Sequence, residues 1–210
     1  MKVDLHTHTD NSDKDIISVR SFRYGVELIK DCTYCSAAVH PWDVEVVENS
    51  ILERFEAEID RFFAVSEVGL DRFHPNFKKQ YQYFEQQLQI AQKYRKVVVV
   101  HSVRSHNEVI ELLKKYNDVK AVIHSFVGGG EIARKYLDLG AALSFSPLSF
   151  RSSKTLEVVE STPICDIFLE SDQSGESIYT IYNRYCQIKN MQIEQVEADI
   201  FKNFNTFFNV

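Results

Sequence analysis

Glycine and proline are scarce, at 7 and 4 of 210 residues, which excludes collagen-like chains and Pro-rich linkers. Four cysteines (Cys32, Cys35, Cys165, Cys186) are too few for a disulfide framework in a chain of this length. The single Cys32-x-x-Cys35 pair has no second pair to complete a zinc motif, and these two are expected as structural thiols. No apolar run approaches the ~18 residues of a membrane span, and the opening Lys2-Val3-Asp4-Leu5-His6 has neither the basic nor the apolar region of an export signal. A cytoplasmic location with no membrane partner is the expectation. An excess of basic charge is also missing: 24 Lys and Arg stand against 30 Asp and Glu, a net charge of −6. That excludes holding nucleic acid by a general basic surface, so any phosphate contact has to be local.

What is there is a globular composition, 44% hydrophobic and 26% charged. By size scaling a chain of this mass buries about 70% of its surface on folding, enough for a real core. With no internal repeat or linker, residues 1–210 are expected to form a single domain. Eight short apolar runs predict strands: Val3–Leu5, Ile16–Phe22, Tyr34–Val39, Phe63–Val68, Val97–Val100, Lys120–Ile123, Ala141–Phe145 and Cys165–Leu169. Between them lie helical stripes. The clearest spans Pro75–Lys93, where Phe77, Tyr81, Phe84, Leu88 and Ala91 recur every three or four residues. Others cover Val44–Phe62, His106–Tyr116 and Ile193–Phe208. Strands interleaved with helices predict an α/β fold, a TIM (β/α)8-type barrel at the short end of its size range. The stretch from His8 to Ile16 is too short for a crossover helix. A barrel lacking that first helix is expected, with a seven-stranded or distorted one as the alternative.

The chemistry gathers at strand ends. His6 and His8 are two residues apart, so on a strand both imidazoles leave the same face. Val97–Val100 runs into His101 and Ala121–Ile123 into His124, while Glu67, Glu170 and Asp172 lie at the ends of two further runs. In a barrel those ends build the active-site face. Four histidines and two carboxylates arriving there suit two divalent ions, with Mg, Mn and Zn all compatible with such donors.

Taken in order, His6-Thr7-His8, Val39-His40-Pro41-Trp42, Ser66-Glu67-Val68-Gly69-Leu70-Asp71, the Gln80/Phe84/Gln87-Leu88/Ala91 helix, His101-Ser102, Ile123-His124-Ser125-Phe126 and Leu169-Glu170-Ser171-Asp172 closely resemble the TatD family of metal-dependent deoxyribonucleases. The resemblance runs from residue 3 to the closing Asn203–Phe208 segment. It implies a phosphodiesterase on a TIM barrel, with His6 and His8 on one ion, His101 and His124 on the other, Glu67 bridging and Asp172 completing the site as the group that handles the water's proton. The chain departs from the family pattern in its short segment between His8 and Val39 and in Ser171-Asp172-Gln173, where the family has Thr and a following Pro.

Among the remaining residues, His40 is expected to contact a phosphate or leaving group, and Arg104 and Arg72 to bind substrate. Arg151 and Lys154 also follow strands. Trp42, the only tryptophan, either stacks on a base or packs the rim. Asp4 and Glu170 are expected to orient ligand imidazoles, Gly128-Gly129-Gly130 to form a flexible turn, and His74 and His106 to lie on the surface. The function expected is hydrolysis of phosphodiester bonds in DNA, exonuclease-like, with no obligate protein partner. Two alternatives are kept: a PHP-type phosphomonoesterase, whose opening the Val3–Thr9 segment also resembles, and a metal-dependent nucleic-acid-binding module without turnover. Amidohydrolases commonly bridge their metals with a carboxylated lysine, and no lysine ends a strand at the place where Glu67 does.

Overall fold

The computed structural model describes residues 1–210. All eight expected strands form: β1 (Lys2–Thr7), β2 (Ile16–Arg23), β3 (Cys35–Ala38), β4 (Ala64–Asp71), β5 (Val98–Val103), β6 (Ala121–Ile123), β7 (Ala142–Phe145) and β8 (Ile167–Leu169). They make one sheet whose strand order is the chain order. The pairs β1/β2, β3/β4, β4/β5 and β7/β8 are parallel. A bridge between Thr7 and Asp172 joins the end of the last strand to the first. A parallel sheet ordered in this way, with its last strand meeting its first, is of the (β/α)8 barrel class. The strands are interleaved with α1 (Ile51–Ala57), α2 (Phe77–Tyr94), α3 (His106–Lys115), α4 (Gly130–Leu137), α5 (Ser153–Ser161), α6 (Ile178–Lys189) and α7 (Ile193–Phe208). No helix is long and apolar enough to cross a membrane.

The chain divides into two compact units, Met1–Arg20 with Ile123–Val210, and Ser21–Val122. In the first, α7 buries Val196, Ile200, Phe204 and Phe208, the stripe its periodicity predicts. Phe168 of β8 meets Phe207 and Phe208 at 5.7 and 6.1 Å between ring centroids. The Tyr182 hydroxyl of α6 accepts from the Val3 N–H (2.9 Å) and donates to the Val3 carbonyl (3.0 Å), pinning that helix to β1. In the second unit Tyr24, Phe55 and Phe62 form an aromatic cluster. There α2 buries Phe84, Leu88 and Ala91 as expected, but its buried face turns toward Gln80, Tyr83 and Gln87 and leaves Phe77 and Tyr81 half-buried.

Three connections differ from the standard strand–helix alternation. The β1–β2 link, residues 8–15, has no helix, as its length predicts. Eight residues reach at most about 28 Å, against about 20 Å for the six-residue return along β1. Side-chain turns shape it, with Asn11 Oδ1 accepting from the Asp13 N–H and Asp13 Oδ1 from the Asp15 N–H, both at 2.9 Å. The β2–β3 link also lacks a helix. Within it Cys32 and Cys35, expected as thiols, are joined in a disulfide, because Cys32 lies in the turn that leads into β3 and the two Cα atoms are 5.3 Å apart. Cys165 and Cys186 are free. Finally, the stripe read over Val44–Phe62 is helical only at Ile51–Ala57, followed by a 3-10 turn at Ile59–Arg61. Ahead of it the backbone closes successive turns on the His40 and Asp43 carbonyls, and Asn49-Ser50 delays the helix.

Candidate metal centre

In the Ser21–Val122 unit β4 carries Glu67 and β5 carries His101. The β4/β5 register shifts between Ser66 and Val68, so Glu67 falls at a bulge, a device that re-aims a side chain. Two residues on, Gly69 has φ +149°, and a Cβ there would lie 2.0 Å from the His101 carbonyl oxygen. Only glycine lets β4 pass so close to His101, which gives the Glu67–Asp71 segment a physical reason. Glu67 Oε1 lies 2.6 Å from His101 Nδ1 and 3.4 Å from His40 Nε2. The three buried residues offer ligand atoms all within 4.8 Å of one another. His40 thus shares a donor group with Glu67 and His101. Burial pushes its imidazole pKa down against the pull of Glu67, which favours the neutral form a metal requires.

His101 Nε2 faces a second carboxylate, Asp71 Oδ2, at 3.3 Å. Asp71 also accepts from the Trp42 indole N–H (2.7 Å) and the Phe73 N–H (2.8 Å), and lies 3.0 Å from His74 Nδ1. Burial alone would raise its pKa, but the hydrogen bonds from His101, Trp42 and Phe73 hold it well below the usual carboxylate range. The sequence reading missed Asp71 and placed His74 on the surface. His74 is half-buried and stacks on Trp42, with centroids 4.5 Å apart and planes inclined by 20°. Asp71 ends β4 just as His101 lies on β5, so the strand-end reasoning applied to Glu67 would have found it.

In the other unit β1 supplies His6, the residue just past its end His8, the residue just past β6 His124, and the segment after β8 Glu170 and Asp172. The Nε2 atoms of His6 and His8 each lie 3.8 Å from Asp172 Oδ1. The His6 ring centroid is 5.0 Å from that of His8 and 4.7 Å from that of His124. His6, His124 and Asp172 form a second donor group within 4.8 Å. Ser125 and Asp172 adopt positive φ (47° and 50°), sharp turns immediately past the strand ends. His124 Nδ1 lies 3.1 Å from Glu170 Oε1, as expected of an orienting carboxylate, which leaves Nε2 as its ligand atom. Asp4 behaves differently from the expectation. It accepts from the Ser171 N–H (2.8 Å) and hydroxyl (2.6 Å), fixing the turn between Glu170 and Asp172 rather than an imidazole. Burial pushes its carboxyl up to about 7 in spite of these bonds.

Imidazole and carboxylate donors in both groups fit Mn, Zn or Mg, and carboxylates buried beside imidazoles are stabilised by a cation. Both arginines expected to bind substrate are exposed; Arg72 is ion-paired with Glu108 and lies over the Phe77 ring, whereas Arg104 lies over the Phe73 ring. The Gly128 N–H donates to Thr155 Oγ1 (3.1 Å), so the first of the three glycines is tied down rather than flexible. His106, half-buried, lies 3.0 Å from the Ser102 hydroxyl.

A (β/α)8 barrel with histidine–carboxylate donor groups at its strand ends defines a class, the metal-dependent hydrolases. A family model described as TatD related DNase matches residues 15–209. The metal-dependent hydrolase YjjV of Escherichia coli is 26% identical over 84% of this chain and 77% of its own length. A deoxyribonuclease of Homo sapiens is 32% identical over 58% of this chain and 46% of its own. Among solved structures, YjjV superposes with a TM-score of 0.75 at 24% identity, over 84% of this chain and 77% of that one. A TatD family hydrolase of Entamoeba histolytica gives 0.73 at 21%, over 84% and 75%. The chain belongs to the TatD family and is a metal-dependent hydrolase.

Proposed function

We propose that the protein hydrolyses phosphodiester bonds of DNA from an end, using two divalent ions (Mg, Mn or Zn) held by His6, His8, Glu67, His101, His124 and Asp172. The observation that carries this reading is that each compact unit supplies its own histidine–carboxylate donor group, His6/His124/Asp172 in one and His40/Glu67/His101 in the other. Relatives named as deoxyribonucleases support the substrate class. Divalent ions supply positive charge to a phosphodiester and acidity to water, which reconciles an anionic substrate with a chain of net charge −6. Asp172, 30% exposed where His6 is fully buried, is the carboxylate positioned to take the proton of the attacking water. His40, neutral and held near Glu67, adds a donor to a phosphate oxygen or to an ion.

The test is cleavage of an end-labelled oligodeoxynucleotide. EDTA abolishes it and Mn restores it, and His101→Ala and Asp172→Asn each lower the rate by at least about a hundredfold while the far-UV spectrum is retained. Undiminished cleavage by either variant overturns the assignment. Faster turnover of nitrophenyl phosphate than of DNA points instead to a monoesterase, and binding without multiple turnover to a non-catalytic module.

A further inference from the structure

Phe73, just beyond β4, is 67% exposed, so its ring is open to a ligand close to a candidate metal centre. Its N–H is bonded to Asp71 Oδ1 (2.8 Å), and Asp71 Oδ2 lies 3.3 Å from His101 Nε2. One carboxylate therefore connects the Phe73 backbone to a candidate metal ligand. Over the Phe73 ring, 4.7 Å from its centroid, sits the guanidinium of Arg104. Arg104 follows β5 at φ 50°, a left-handed conformation that a long side chain rarely adopts and that is found at functional sites.

Charge distinguishes Arg104 from its neighbours in the same unit. Arg23 is paired with Asp43 and Arg72 with Glu108. Arg104 has no carboxylate partner, although acidic residues outnumber basic ones 30 to 24 in the chain. A guanidinium held over a ring by cation–π attraction, with no carboxylate on it, has N–H donors available for a phosphate. Trp42 is committed elsewhere. One face stacks on His74, its indole N–H is bonded to Asp71, and it meets the His40 and His101 rings in T-shaped contacts at 4.7 and 6.0 Å between centroids.

We propose that Phe73 and Arg104 form a nucleotide grip, Phe73 stacking on a base and Arg104 pairing with a backbone phosphate of the bound strand. The proposal rests on the phosphodiesterase reading above and names residues through which an unpaired nucleotide is held. A nucleotide presents both an aromatic face and a negative charge, which matches this ring and this cation together. A purely apolar protein partner would leave the Arg104 charge uncompensated. An unpaired base exposes the face that stacking needs, while a base inside a duplex does not.

The experiment uses the Mn-loaded protein and two substrates, an oligothymidylate and the same strand with abasic residues at its two terminal positions. Wild type favours the oligothymidylate, and Phe73→Ala raises KM for it about 5- to 100-fold, so the preference disappears. Phe73→Tyr restores the preference. Arg104→Ala raises KM for both substrates and lowers the salt dependence of binding by about one charge. Emission of Trp42, the only tryptophan, gives a readout apart from turnover: a phosphorothioate-linked oligothymidylate quenches it in wild type, and about 5- to 100-fold more is needed in Phe73→Ala. The grip is overturned if wild type shows no base preference, if Phe73→Ala keeps the preference, or if the phosphorothioate strand leaves emission unchanged. Should wild type cleave neither strand while quenching still depends on Phe73, the phosphodiesterase reading fails and the grip stands.

Discussion

Glu170 is fully buried and lies 3.1 Å from His124 Nδ1, so the carboxylate selects which imidazole nitrogen carries the proton and which can ligate. Replacing it with an amide keeps the shape but removes the charge that raises imidazole basicity. Glu170→Gln is expected to weaken metal binding about tenfold, read by competition with a chromogenic chelator, while the metal-free variant melts within about 2 °C of wild type. Unchanged affinity would show that Glu170 serves packing alone. At this scale the sequence was most readable where a histidine ends an apolar run, as at His101 and His124, because a strand end fixes where a side chain sits. Asp71 and His74 were not readable in this way. Their roles arise from Trp42, Phe73 and His101 arriving from separate segments, and no local pattern announces such a meeting. The Cys32–Cys35 pair was visible, but its spacing alone does not say whether the thiols are joined.

Elements hold these residues through polar side chains as well as through apolar stripes. Gln87 of α2 accepts from the Val39 N–H (2.8 Å) and donates to the Val39 carbonyl (3.1 Å), immediately before His40. Gln80 does the same for Asp71, accepting from its N–H at 2.8 Å and donating to its carbonyl at 3.1 Å. Both glutamines are buried, so one helix clamps the last residue before His40 and the last residue of β4. Gln87→Leu conserves volume and strips both bonds, leaving a buried N–H and C=O at Val39. It is expected to cost about 2–4 kcal/mol, a melting-point loss of about 5–15 °C for a chain of this size, together with reduced activity because His40 is released. A melting point within about 2 °C of wild type would refute the clamp. All eight strands were legible because β-branched runs set them off from amphipathic stretches. The Val44–Val47 segment misled, since its apolar spacing suits a helix while Pro41 and the turns closed on Asp43 dictate otherwise. The buried glutamines turn α2 away from its purely apolar stripe for the same reason: a hydrogen bond to an open strand end outweighs the burial of Phe77 and Tyr81.

For the whole molecule, the common feature of both units is acidity placed indoors. Asp4, Glu67, Asp71 and Glu170 are all buried, in a chain already carrying a net charge of −6. Buried carboxylates oppose folding unless positive charge or hydrogen bonds compensate them, and the histidines beside Glu67 and Glu170 compensate fully only when a cation joins them. Stability should therefore rise with metal. An ion at 100 times its Kd adds about 2.7 kcal/mol for each site that exists only in the folded state, so saturating Mn or Zn is expected to raise the melting temperature by about 5–10 °C for one site and more for two. If each unit holds its own ion, His124→Ala and His101→Ala each lower the measured stoichiometry from two ions per chain toward one, and each forfeits part of the thermal shift. Differential scanning fluorimetry with and without EDTA, alongside elemental analysis of the dialysed protein, measures both quantities. A melting temperature indifferent to metal would mean that the buried acids are neutralised by protons instead, and the donor groups would lose their reading as cation sites.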